Sequence, residues 1–254
     1  MFSGRTGHIN SAITLGNGTP AVKIRGFSTE NTDDASPPAT DPTDTEIPEI
    51  IDLTSGLVAY FPFNGNANDE SGKGNHGTIR GGATLGTDRH GVASKTYSFD
   101  GMNDYIHVGG PSSLTNSPNQ TMSIWVKGEG LAYWNDNTNA GGDTKIVIQD
   151  NGLVRFWAHS HNQRSSSYNL FTEEPVSLDE WHHVVGTIED DLHFKIYVDG
   201  QFLIGSTDSA PSNHNGRTHI SIGSGHNGFQ GYFDGSLDDI RHYTRALSAA
   251  EVAA

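Results

Sequence analysis

The 254-residue chain contains no cysteine, which excludes disulfides, thiolate metal ligands and thiol catalysis and leaves the cellular compartment open. Hydrophobic residues are also scarce, at 33%, and charged residues make up only 18%. The shortfall is filled by 31 glycines together with Ser, Thr, Asn and Asp, which belong to turns and strand ends. That composition disfavours a mostly helical protein. Basic residues number 15 against 30 acidic ones, a net charge of -15. Nucleic-acid readers and binders of anionic membranes need a basic face, so neither partner is expected, whereas hard cations and neutral ligands are compatible. No apolar run approaches the roughly 20 residues of a membrane span, so no membrane insertion is expected. The Met1–Arg5 start lacks the apolar core of a signal peptide, so an exported protein would have to be a fragment or use another route.

What is present divides the chain into three. Residues 1–27 read as a strand pair, Ala12–Leu15 and Ala21–Arg25, around the turn Gly16-Asn17-Gly18-Thr19-Pro20. One hairpin is marginal alone, so it is expected to be the tail of an upstream domain or to dock on something else. Residues 28–50 are rich in Asp, Glu, Thr and Pro and contain no aromatic, which predicts a solvated acidic linker. From Ile51 to Ala254 short alternating runs are separated by Gly, Asn, Asp and Ser. Leu57, Ala59, Phe61 and Phe63 fall on one face of one run; Met122, Ile124 and Val126 alternate with Ser123, Trp125 and Lys127 in another. Leu192, Phe194, Ile196 and Val198 alternate with His193, Lys195 and Tyr197. This period of two marks half-buried antiparallel strands. With further runs such as Lys145–Gln149, Leu153–Ala158 and Trp181–Ile188, the density predicts an all-β sandwich or jelly roll. Asp150-Asn151-Gly152 and Asp199-Gly200 supply hairpin turns, and Ser248-Ala249-Ala250-Glu251 forms a capping box for one short helix.

Three segments then carry a resemblance. The first is Gly56-Leu57-Val58-Ala59-Tyr60-Phe61-Pro62-Phe63-Asn64-Gly65-Asn66 with Asp69-Glu70-Ser71-Gly72-Lys73-Gly74-Asn75-His76-Gly77. The second is Trp181-His182-His183-Val184-Val185 with Tyr197-Val198-Asp199-Gly200, and the third is Tyr232-Phe233-Asp234-Gly235-Ser236-Leu237-Asp238-Asp239-Ile240 through Leu247-Ser248. In this order, with Phe99-Asp100-Gly101 and Asp104-Tyr105 between the first two, they resemble the laminin-G-like, concanavalin A-like lectin/glucanase jelly rolls from about residue 56 to the end. The resemblance implies two antiparallel sheets, one concave and one convex, with the first and last strands side by side. It also implies a binding or adhesion module outside the cell or on its surface, usually with a calcium ion.

The Asn64–Gly77 stretch is rich in oxygen donors and glycines, as a calcium loop requires, although no EF-hand spacing is present. The expected ligands are the carboxylates of Asp69 and Asp238 with backbone oxygens near Ser71 and Gly77; Asp238 enters because it matches the acid of the family's closing motif. The alternative is that Asp69 caps its own loop. His159-Ser160-His161 and His182-His183 lack the convergent partners of a zinc site, and the resemblance makes His182 and His183 packing and hydrogen-bonding residues of its Trp-His-His strand. No E-x-D-x-x-E strand, G-x-S-x-G elbow or phosphate loop occurs, so no enzymatic activity is expected. Ligand contacts are expected at two aromatic-plus-polar places. One is a polar loop carrying Trp134, Asn135 and Asp136; the other follows a strand and holds Trp157, His159, His161 and Arg164. The competing reading makes Trp157 a core residue and the Asn-rich loop a solvated one. The partner is expected to be a glycan or polysaccharide, or a cell-surface protein. Two other roles remain: a protein–protein or structural module of a surface, phage or appendage assembly, and an accessory domain of a polysaccharide-degrading enzyme.

Overall fold

The computed structural model describes residues 51–109, 117–136, 143–159, 167–190, 193–206, 219–225 and 230–254. The strand pair expected in residues 1–27 and the linker expected in residues 28–50 fall outside the described residues, as do His161 and Arg164. The described elements run β1 (Leu57–Phe61), β2 (Thr78–Arg80), β3 (Thr84–Thr87), β4 (Ala93–Asp100), β5 (Tyr105–Gly109) and β6 (Gln120–Asp136). They continue as β7 (Asp143–Ile148), β8 (Val154–His159), β9 (Ser167–Phe171), β10 (His182–Glu189), β11 (His193–Val198) and β12 (Gln201–Ser206). The last are β13 (His219–Ile222), β14 (Ser224–Gly225), β15 (Gln230–Tyr232), β16 (Asp234–Tyr243) and α1 (Ala249–Val252). All strand pairings are antiparallel. The fold is the all-β two-sheet sandwich that the alternation predicts.

One sheet follows the order β12-β11-β10-β6-β16, with β4 and β1 end to end along the far edge of β16 (β4 on Asp234–Leu237, β1 on Ile240–Tyr243) and β3 beyond β4. The other follows β2-β5-β13-β6-β7-β8-β9. The long strand β6 serves both: its first half pairs with β10 and β16, its second half with β13 and β7. The crossing point is Gly128-Glu129-Gly130, and glycine is required there. A Cβ on Gly128 would lie 2.1 Å from the Asp234 carbonyl oxygen, and one on Gly130 2.2 Å from that of Tyr232. Both also hold φ above +110°, a region closed to other residues.

Between the sheets lies one apolar core. Phe61, Phe63, Tyr133, Phe156, Phe194 and Phe233 are fully buried in it, and Phe63 meets Tyr97 edge-on at 4.9 Å. The opening and closing segments are neighbours: β1 pairs with β16 from Ala59↔His242 to Phe61↔Ile240. A bulge between Leu57 and Ala59 corrects the expected alternation. Ala59, Phe61 and Phe63 face the core, whereas Leu57 packs against a second cluster of Val185, Tyr197, Tyr243, Leu247 and Val252. That cluster seats α1 on the outer face of the first sheet. The capping box is formed, and Glu251 also pairs with Arg245 at 2.7 Å. Asp199 and Gly200 take φ of 51° and 76°, as a tight hairpin between β11 and β12 demands.

Candidate functional site

The Asn64–Gly77 loop is held to β1 by Asp69. Its Oδ1 accepts the backbone N–H of Tyr60 and of Ser71, each at 2.9 Å; its Oδ2 accepts the Ser71 hydroxyl at 2.9 Å and the Asn75 N–H at 2.8 Å. Asn75 Nδ2 then donates to the Val58 carbonyl at 2.6 Å. Burial alone would raise the Asp69 pKa, but these donors outweigh it and hold the carboxyl below its ordinary value. Gly77 is needed for space, since a Cβ there would sit 2.6 Å from Ile106 Cγ2.

Asp238 has different company. Its Oδ2 accepts Arg89 Nη1 at 2.7 Å, while Arg89 Nη2 reaches Asp239 at 3.2 Å. Adjacent residues of a regular strand point to opposite faces. Here Asp239 takes φ 47° at a bulge in β16, so both carboxylates meet one guanidinium. Arg89 also lies 4.5 Å from the centroid of Trp125, which stacks on His183 at 5.1 Å. His183 Nε2 shares a 2.8 Å hydrogen bond with the Ser123 hydroxyl. Burial pushes Asp238 up to about 6 and His183 down to about 4.

The expected calcium ligands therefore do not fit the ion as arranged. Asp69 presents a carboxylate whose lone pairs already meet four donors, and a guanidinium occupies Asp238. Among the described residues no group of three or more His, Asp or Glu is placed to share a metal. The loop-capping alternative accounts for Asp69.

The aromatic candidates lie on strands, which corrects the expectation of a polar loop. Tyr133–Asp136 end β6, and Trp134 is only 3% exposed. Asp143 opens β7. Trp157 lies inside β8, half-buried, and is not core: alternation sends Val154, Phe156 and Ala158 inward and turns Arg155 and Trp157 outward. Register aligns Trp134, Lys145, Trp157 and Asn169 across β6, β7, β8 and β9, on the outer face of the second sheet. Lys145 Nζ sits 4.0 Å from the Trp157 centroid and 5.2 Å from that of Trp134. Asp143 Oδ2 fixes both neighbours, accepting Trp134 Nε1 at 3.1 Å and Lys145 at 3.0 Å. Arg155 lies 5.0 Å from the Trp157 centroid and 5.5 Å from that of Phe171, and its Nε donates to Asn169 Oδ1 at 2.8 Å. His219 meets Trp134 edge-on at 6.2 Å, with His107 beside it.

Of the expected ligand residues, Trp134 and Trp157 come together on this face. Asn135 does not: its side chain is fully buried on the inner side, opposite Thr144. Asp136 and His159 occupy the next row of the same sheet, at register positions facing Asp143. Lys145, Arg155, Asn169 and Phe171 were not anticipated. The alternation Val154-Arg155-Phe156-Trp157-Ala158 was the signal for Arg155, because it puts the cation beside the ring at i and i+2.

The family model of the concanavalin A-like lectin/glucanases superfamily known as Laminin_G_3 matches residues 100–253. The chain belongs to this superfamily. No curated protein matches it. Among solved structures it is similar to domain 4 of an extracellular GH43 arabinanase from Geobacillus stearothermophilus, solved with arabinotriose, at 22% identity and a TM-score of 0.63, over 78% of this chain and 97% of that one. It is also similar to the binding domain of Paraclostridial Mosquitocidal Protein 1, at 19% identity and a TM-score of 0.62, over 80% and 52% of the two chains. A third likeness is to the receptor binding domain of a botulinum neurotoxin C/D mosaic serotype, at 15% identity and a TM-score of 0.62, over 79% and 51%. The chain spans about half the length of these two toxin domains. At these identities the likeness establishes the jelly-roll fold.

Proposed function

We propose that the chain is a non-catalytic recognition module that holds a carbohydrate on the outer face of the second sheet, acting outside the cell or on its surface. The observation that carries this reading is the ladder Trp134–Lys145–Trp157 with Arg155 and Asn169 beside it. Sugars present apolar C–H faces that stack on aromatic rings and hydroxyls that bond polar neighbours, so a half-buried Trp flanked by hydrogen-bonding groups suits them. The arabinanase domain solved with arabinotriose supports the ligand class and the role of an accessory domain beside a polysaccharide-degrading enzyme. A glycan array is the test: the parent protein binds at least one class of glycan and Trp157→Ala does not. Absence of binding to every glycan, or binding unchanged in Trp157→Ala, contradicts the proposal.

A second reading, a protein–protein or structural module, is favoured by one observation. Phe202 and Leu203 stand 55% and 44% exposed on β12, the outermost strand of the first sheet. Defined oligomers in sedimentation, abolished by Phe202→Ser, would support it.

A further inference from the structure

Among the described residues two arginines lie over tryptophans, and they are partnered differently. Arg89, over Trp125, is neutralised by Asp238 and Asp239. Arg155, over Trp157, has no carboxylate partner among the described residues; its fixed acceptor is the amide oxygen of Asn169, taken by Nε and Nη2. Lys145 does not share this condition, because Asp143 pairs with it at 3.0 Å. Arg155 is half-buried, and burial lowers its pKa with no acid opposing the shift. Keeping a guanidinium partly out of water with no counter-charge from the described residues costs stability. The Asn169 amide oxygen takes one hydrogen each from Nε and Nη2, and the second Nη2 hydrogen together with Nη1 forms the other edge of the fork.

Resting on the reading of this face as a sugar site, we infer that the ligand is an anionic saccharide, whose carboxylate or sulfate is received by Arg155 while a ring of the same ligand stacks on Trp157. A planar fork beside an aromatic platform suits an acidic sugar, since it binds the two oxygens of a carboxylate while the neighbouring indole takes the C–H face. The net charge of -15 does not prevent this. Charges farther than about 8 Å are screened at physiological salt, whereas a direct ion pair is not.

The experiment compares matched ligands on the whole protein by calorimetry. Oligogalacturonate and its methyl ester, hyaluronan fragments, sulfated heparin fragments and neutral arabino-oligosaccharides are titrated into the parent, Arg155→Gln and Arg155→Lys. The inference expects an acidic saccharide to bind, its uncharged counterpart to bind about ten- to a hundredfold more weakly, and Arg155→Gln to erase the difference. Arg155→Lys keeps the charge but loses the fork and falls between. Binding of the parent to the acidic ligand must also weaken as salt rises from low to high concentration, a readout that holds even if the variants fold poorly. Equal binding of neutral and acidic forms, or polyglutamate binding as tightly as the acidic sugar, overturns the inference while leaving a binding face in place. Failure of every saccharide in the series, neutral ones included, overturns the sugar reading itself and this inference with it.

Discussion

The outer faces of the two sheets carry the same pair of groups, an arginine over a tryptophan, in two electrostatic settings. On the first sheet Arg89 and Trp125 are locked by Asp238, Asp239 and the stacked His183. Around them the cations are answered, Arg241 by Asp239 and Arg245 by Glu251. On the second sheet Arg155 lies against Trp157, Phe171 and the Asn169 amide, with no carboxylate partner among the described residues. The contrast teaches that a cation over an indole is a structural fastening where acids complete it, and is open to the proposed ligand role where none of the described residues does so. Geometry alone would not separate the two; the inventory of counter-charges does.

The sharpest way to break this comparison is to remove each arginine and read stability. Arg89→Ala leaves Asp238, only 3% exposed, without its cation and is expected to cost roughly 3 kcal/mol. Arg155→Ala removes no ion pair and is expected to cost less than about 1 kcal/mol. Urea denaturation checks both, and equal losses would erase the distinction. The next effect concerns the loop once expected to hold calcium. Asp69→Asn removes a carboxylate that four donors surround and is expected to cost about 2 kcal/mol. Because the folded pKa of Asp69 lies below its ordinary value, this contribution is present above about pH 4 and fades as pH falls below that. Millimolar calcium should leave the melting temperature of the parent unchanged; a rise that Asp69→Asn abolishes would restore the calcium reading.

A further effect is a pH slope confined to the first face. Asp238 is raised to about 6 from 3.8, so the folded state binds the extra proton and stability falls as pH climbs from about 4 to 6. His183 is lowered to about 4 from 6.5, so the folded state excludes a proton and stability rises over much the same window. The two slopes oppose each other. Asp238→Asn removes only the first, so its stability relative to the parent must improve steadily from pH 4 to 6 in thermal melts. Parallel curves would show that Asp238 titrates as an ordinary carboxylate.

The architecture was legible in the sequence because its signals are local. Alternation at Met122–Val126 and Phe194–Val198, turn residues at Asp199-Gly200 and the box at Ser248–Glu251 each act within a few residues. The site was only half legible. Trp134 and Trp157 were found as aromatics amid polar residues, but their meeting depends on the register of β6, β7 and β8, which no local pattern fixes. Asn135 was misjudged for the same reason: one position along a strand reverses the face. Asp238 was assigned by its place on the closing strand, but its partner Arg89 lies 149 residues away, a contact that spacing cannot reveal.

The most direct test of the binding face uses the four tryptophan indoles as reporters in a titration followed by nuclear magnetic resonance. Addition of the acidic oligosaccharide should shift the indole N–H signals of Trp157 and Trp134 and leave those of Trp125 and Trp181 in place. Shifts at Trp125 with Trp157 unmoved would put the ligand on the other sheet and contradict the account.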